Sequence, residues 1–90
     1  MNEPKFQLGR LLATPGALEK VPHEELLNAL SRHVRADWGD VSDEDRKENE
    51  LSLNEELRLL SVFHTQANVR FWIITEADRS ATTVLLPEEY

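Results

Sequence analysis

The sequence predicts an α+β domain with two to three helices on one face of a three- to four-stranded antiparallel sheet. The expected order is strand, helix, helix, helix, then three strands. Three observations predict it. Apolar residues recur at helical spacing from Leu26 to Val34, the apolar period switches to alternation near Leu57, and short polar turns separate the later apolar runs. Ninety residues suit a single domain over 1–90, and no repeat, low-complexity stretch or linker divides them.

Phe6 to Ala13 reads as a short edge strand, with Phe6, Leu8 and Leu12 on one side and Gly9 weakening its interior. Thr14 is a good N-cap and Pro15 suits a first helical position, so Pro15 to Lys20 reads as one helical turn. Pro22 restarts the helix. Leu26, Leu30 and Val34 form its inner stripe, flanked by Leu27 and Trp38, and Gly39 supplies a left-handed cap. Ser42 and Asp45 have capping-box spacing, which starts a third helix. Asp43 with Lys47 and Arg46 with Glu50 are opposite charges four apart on it, and Leu53, Leu57 and Leu60 continue an apolar stripe. Alternation then predicts strands at Leu59 to Phe63, Val69 to Thr75 and Ala81 to Leu86. Thr65 to Asn68 and Glu76 to Ser80 are their turns, and Pro87 is the stop.

Hydrophobic residues make up 40% of the chain and charged residues 30%, the balance of a folded rather than a disordered protein. Seventeen acids against ten bases give a net charge of −7. That argues against direct nucleic-acid binding, which needs clustered Lys and Arg. Without cysteine there is no disulfide, thiolate metal site or cysteine nucleophile. Met1 to Lys5 lacks the pattern of a signal peptide, and no apolar run reaches the ~18–20 residues of a membrane span. A cytoplasmic location is therefore expected. The charge is concentrated: Asp37 to Glu56 holds nine acids and two bases, and the other seventy residues sum to zero. This run is either a solvated helix face or a patch for a basic protein surface. Its candidate contact residues are Asp43, Glu44, Glu48, Glu55 and Glu56.

The stretches FQLGRLLATPGALE (Phe6 to Glu19), RHVRADWGDVSDED (Arg32 to Asp45) and WIITEADRSATTVLLPEEY (Trp72 to Tyr90) resemble a family of small bacterial proteins. These are often carried on plasmids and other mobile elements, and some are labelled plasmid-related or a restriction-system subunit. The resemblance spans nearly the whole chain, and T-E-A-D-R-S (Thr75 to Ser80) is its most specific part. It implies a bacterial, mobile-element context and no particular activity. Where the family often has paired glycines before R-L-L-S, this chain has Glu56 and Leu57, so the sequence marks no clean end to the third helix.

Few constellations suggest chemistry. His33 and Asp37 are four apart, but two ligands do not make a metal site, and a hydrogen bond between them is the simpler reading. Glu76, Asp78 and Arg79 share one turn, either stabilising it or contacting a ligand. No serine or phosphate-loop motif is present. No cofactor and no catalytic residue is expected. The sheet face bearing Leu60, Val62, Trp72 and Ile74 is unusually apolar, so either the chain wraps it or a homodimer or partner covers it. Three functions follow. The first is a non-enzymatic protein-interaction module, and the second is a DNA mimic directed at a host DNA-binding or defence protein. The third is a small ligand-binding protein or enzyme using His64, Glu76, Asp78 and Arg79.

Overall fold

The computed structural model describes residues 3–90; Met1 and Asn2, at the start of the stretch read for a leader, lie outside them. The chain runs through β1 (Arg10–Ala13), α1 (Pro15–Lys20), α2 (His23–Val34), α3 (Asp43–Glu55), β2 (Leu59–His64), β3 (Arg70–Thr75) and β4 (Ala81–Leu85), with a closing 3-10 turn at Pro87–Glu89. The predicted α+β order holds.

The sheet is mixed, in the order β1-β4-β3-β2. The last three strands form the expected antiparallel meander, with Phe63 opposite Phe71 and Ile73 opposite Val84. β1 departs from the antiparallel expectation by pairing parallel to β4, with Leu11 beside Thr82. The reason lies at the shared end of the two strands. β1 feeds into the Thr14 cap of α1, and β4 feeds into the turn carrying Glu89. Glu89 accepts hydrogen bonds from the Thr14 hydroxyl and the Gly16 N–H, so both strands must exit at that end. β1 is also shorter than predicted. Gly9 sits at φ +66°, and a Cβ there would lie 2.4 Å from the Ser80 backbone, so the chain turns there and Phe6 leaves the sheet.

α1 and α2 cover the face carrying Phe63, Phe71, Ile73 and Val84, packing Ala17, Val21, Leu26, Ala29 and Leu30 against it. Leu26 and Leu30 of the predicted α2 stripe are buried, Val34 is half-buried and Leu27 exposed, and the helix stops at Val34, with Ala36 rather than Gly39 in the left-handed turn behind it (φ 67°). Gly39 is also left-handed, for another purpose. It lets Trp38 to Asp40 lie against the outer edge of β2, where Val62 donates to the Trp38 carbonyl and accepts from Asp40 N–H. A second cluster wraps this edge: Trp38, Val41, Leu59 and Val62, flanked by Phe6, Leu53 and Trp72.

α3 begins as predicted, Ser42 accepting from Asp45 N–H, and ends where Glu56 turns left-handed at φ 54°. The Leu53–Leu57–Leu60 stripe is broken there, and Leu57 is exposed. Arg46 pairs with Asp43 at 3.6 Å, three residues back, rather than with Glu50. The residues α3 buries are polar, Asn49 and Ser52. Asn49 lies along the outer edge of β2, donating to the Leu60 carbonyl (2.7 Å) and accepting from its N–H (3.1 Å). Its side-chain amide substitutes for the backbone of a neighbouring strand.

Candidate binding groove beside the acidic helix

The second sheet face is neither open nor fully wrapped. Val62 (8% exposed) and Ile74 (7%) are buried, while Leu60 and Trp72 stay half-buried. Of the two covers expected for this face, the chain itself supplies much, through Trp38, Val41, α3 and the C-terminal turn. What remains is a groove of about 320 Å³. Its floor is Leu60, Trp72 and Ile74, and one wall is α3, contributing Asp45, Glu48 and Asn49. Arg58, Leu59 and Tyr90 complete the lining, with the Tyr90 ring edge-on to Trp72 at 5.6 Å.

The arginine is already engaged. Arg58 donates to the Tyr90 hydroxyl (3.0 Å) and lies 3.7 Å from Glu76. That hydroxyl bond, followed by the nearby Glu76 charge, holds the Arg58 pKa above its ordinary value, so the guanidinium stays charged and occupied. Asp45 and Glu48 form no ion pair among the described residues. The wall is thus acidic over an apolar floor, a combination suited to a lysine or arginine side chain, with its apolar stem and charged head.

Asp43, Glu44, Glu48, Glu55 and Glu56 are all solvent-exposed, the first four on α3 and Glu56 as its cap. Only Glu48 among them lines the groove. Sequence reasoning missed Asp45, Asn49, Arg58 and Tyr90. The signal for the α3 pair was a polar stripe at helical spacing, Asp45, Asn49 and Ser52, which a search for apolar periodicity passes over.

In the Glu76–Asp78–Arg79 turn the arginine and Asp78 side chains are engaged within the fold. Arg79 donates from Nη2 to the Ser52 carbonyl (2.8 Å) and from Nη1 to those of Leu57 (2.6 Å), Glu76 and Ala77. It thereby closes the α3 C-terminus onto the β3–β4 turn. Asp78 accepts from Ser80, side chain and backbone, and these bonds lower its pKa. His64 stands at the far end of β2, opposite Arg70, where its Nδ1 meets Asp40 Oδ2 at 2.6 Å. Thr75, next to Glu76, pairs with the other end of that strand, so His64 is not brought to the turn. Among the described residues no three His, Asp or Glu side chains converge where a metal ion would sit.

His33 does not bond Asp37, which is held by Arg32 at 2.8 Å with its carboxyl pKa lowered by that bond. The imidazole is fully buried between Ser61 (2.6 Å from Nδ1) and Thr75 (2.8 Å from Nε2). Thr75 meets Thr82, which donates to the Leu8 carbonyl. A carbonyl only accepts, so each hydroxyl proton is spoken for in turn: Thr82 to Leu8, Thr75 to Thr82, and His33 Nε2–H to Thr75. This puts a proton on Nε2; a neutral ring then accepts from Ser61 at Nδ1. Burial, then the Arg79 charge, push its pKa down to about 3.

No family model matches the chain, and no match emerges among the curated proteins or the solved structures.

Proposed function

We propose that this chain is a non-enzymatic protein-interaction module that receives a basic segment of another protein in the groove between α3 and β3. The observation that carries the reading is the pairing of the Leu60–Trp72–Ile74 floor with the Asp45 and Glu48 carboxylates, on the segment that holds all of the net charge. A lysine or arginine laid there buries its stem on Trp72 and keeps its head beside the carboxylates. Long-range attraction from the rest of α3 steers such a segment and raises its on-rate at low salt.

The test is an amide-shift titration with an alternating lysine–leucine hexapeptide. Shifts are expected at Leu60, Trp72 and Ile74, with affinity falling as salt rises. Reversing Glu44, Glu48 and Glu55 to Lys should abolish binding and leave the thermal midpoint nearly unchanged, since exposed charges add little stability. Binding that survives the triple reversal at low salt overturns the reading. Loss on charge reversal with no effect of Trp72→Ala would replace it with charge mimicry of DNA.

A further inference from the structure

The opposite edge of the sheet carries the second large apolar feature of the molecule. β1 is the outer strand, and its far side meets no strand among the described residues. Arg10 N–H and Thr14 N–H both point inward, to the carbonyls of Ser80 and Val84. By strand alternation Leu11 and Ala13 then direct their N–H and C=O groups outward. Sheet edges are ordinarily protected by lysine, proline or a bulge. Here, past Arg10 at the start of the strand, the side chains are apolar: Leu11 is 53% and Leu12 40% exposed, and Leu27 on α2 is 50% exposed beside them. Leu11, Leu12 and Leu27 line an apolar groove of about 140 Å³ with Leu26, Leu30 and Val84.

We infer that β1 pairs antiparallel with β1 of a second copy of this chain, joining two four-stranded sheets into one of eight strands. The geometry is self-complementary. A two-fold axis through Leu12 sets Leu11 opposite the second copy's Ala13, twice over, so all four outward groups of each strand find partners. Leu12 meets its own counterpart in the closely spaced, non-hydrogen-bonded position, where side-chain contact is tightest. Charge favours the same arrangement. The acidic segment, at −7, lies beyond β2 at the other side of the sheet, while the charges of the remaining residues sum to zero. Seven strand spacings then part the two β2 strands by roughly 34 Å. That exceeds the Debye length of about 8 Å, so the acidic helices do not oppose the pairing.

The experiment is sedimentation with light scattering from micromolar concentration up to about 1 mM. The wild-type chain should rise from 10.4 kDa toward twice that mass, and exchange of the Leu11 and Ala13 amides should slow in step. Leu12→Lys and Leu12→Glu should each stay monomeric with unchanged circular dichroism, the site being exposed. Mixed in equal amounts they should restore the dimer, because the register sets residue 12 against itself. A wild-type chain that stays monomeric throughout overturns the inference and leaves the edge to a foreign strand. So does a dimer that forms without added protection of Leu11 and Ala13, or one indifferent to both Leu12 substitutions.

Discussion

The hydrogen-bond chain through His33 runs in one direction and puts a proton on Nε2, while burial keeps the ring neutral. Protonating Nδ1 would turn the Ser61 hydroxyl away from its acceptor inside a closed core. The folded-state pKa of about 3 lies below the ordinary 6.5, so in the window between them the unfolded chain binds the proton and the folded one does not. Stability is then whole above about pH 6.5 and falls with acid, by up to about 1.4 kcal/mol per pH unit. Urea unfolding from about pH 7 to pH 5 should show this loss, and the His33 ring signals should not titrate over that range. The paired carboxyls of Asp37 and Glu89 act elsewhere, their pKa values being lowered from ordinary values of 3.8 and 4.5. The two tryptophans differ in the same way that buried and half-buried groups must. Trp38 is 3% exposed, stacked beside Phe6 and edge-on to His33, so Trp38→Ala should cost about 3 kcal/mol or more. Trp72→Ala should cost clearly less, as thermal or urea unfolding of the two variants will show.

Among the elements, α3 is unusual in being held by polar contacts. Asn49 pairs with Leu60, Arg79 with the Ser52 carbonyl, and Trp38 Nε1–H with Glu50. Asn49→Leu keeps the volume but leaves the Leu60 N–H and C=O without partners, so it should cost about 2–3 kcal/mol. Leu51→Ala, on the exposed side of the helix, should change stability by no more than about 0.5 kcal/mol. Hydrogen exchange should single out the Leu60 amide in the first variant only. This polar anchoring also explains what was legible in the sequence. The meander was plain because its alternation is a local signal, and the stripe of α2 because Leu26 and Leu30 are apolar. The inner face of α3 was not, since Asn49 and Ser52 look like solvent-facing residues until Leu60 and Arg79 are brought to them. The direction of β1 was hidden for a related reason: its partner is about seventy residues away and is selected by Glu89. Of the groove, the floor residues Leu60, Trp72 and Ile74 and the wall residue Glu48 could be named in advance. His33 was matched with Asp37, four residues away, when its partners are 28 and 42 residues distant. For the T-E-A-D-R-S turn the sequence offers either a stabilising role or a ligand contact, and Arg79 there braces the α3 C-terminus.

At the scale of the whole molecule, the net charge lies on one side of the sheet and an apolar strand edge on the other. The acidic helix and its groove lie by β2, and the neutral, leucine-lined edge is β1, so a basic partner and a second copy would not compete. The two edges differ as well. Along β2 the Asn49 amide occupies Leu60, and the Trp38–Asp40 segment occupies Val62, while the outward groups of β1 meet no backbone partner among the described residues. In the language of polymer chemistry, the proposed pairing gives the fold a valence of one. A monovalent unit can terminate in a pair but cannot propagate, because the second edge is end-capped from within. Both caps would have to be removed before the chain became a divalent monomer, able to add strand after strand into a fibre. A single asparagine amide and a three-residue bridge thus set the functionality of the monomer.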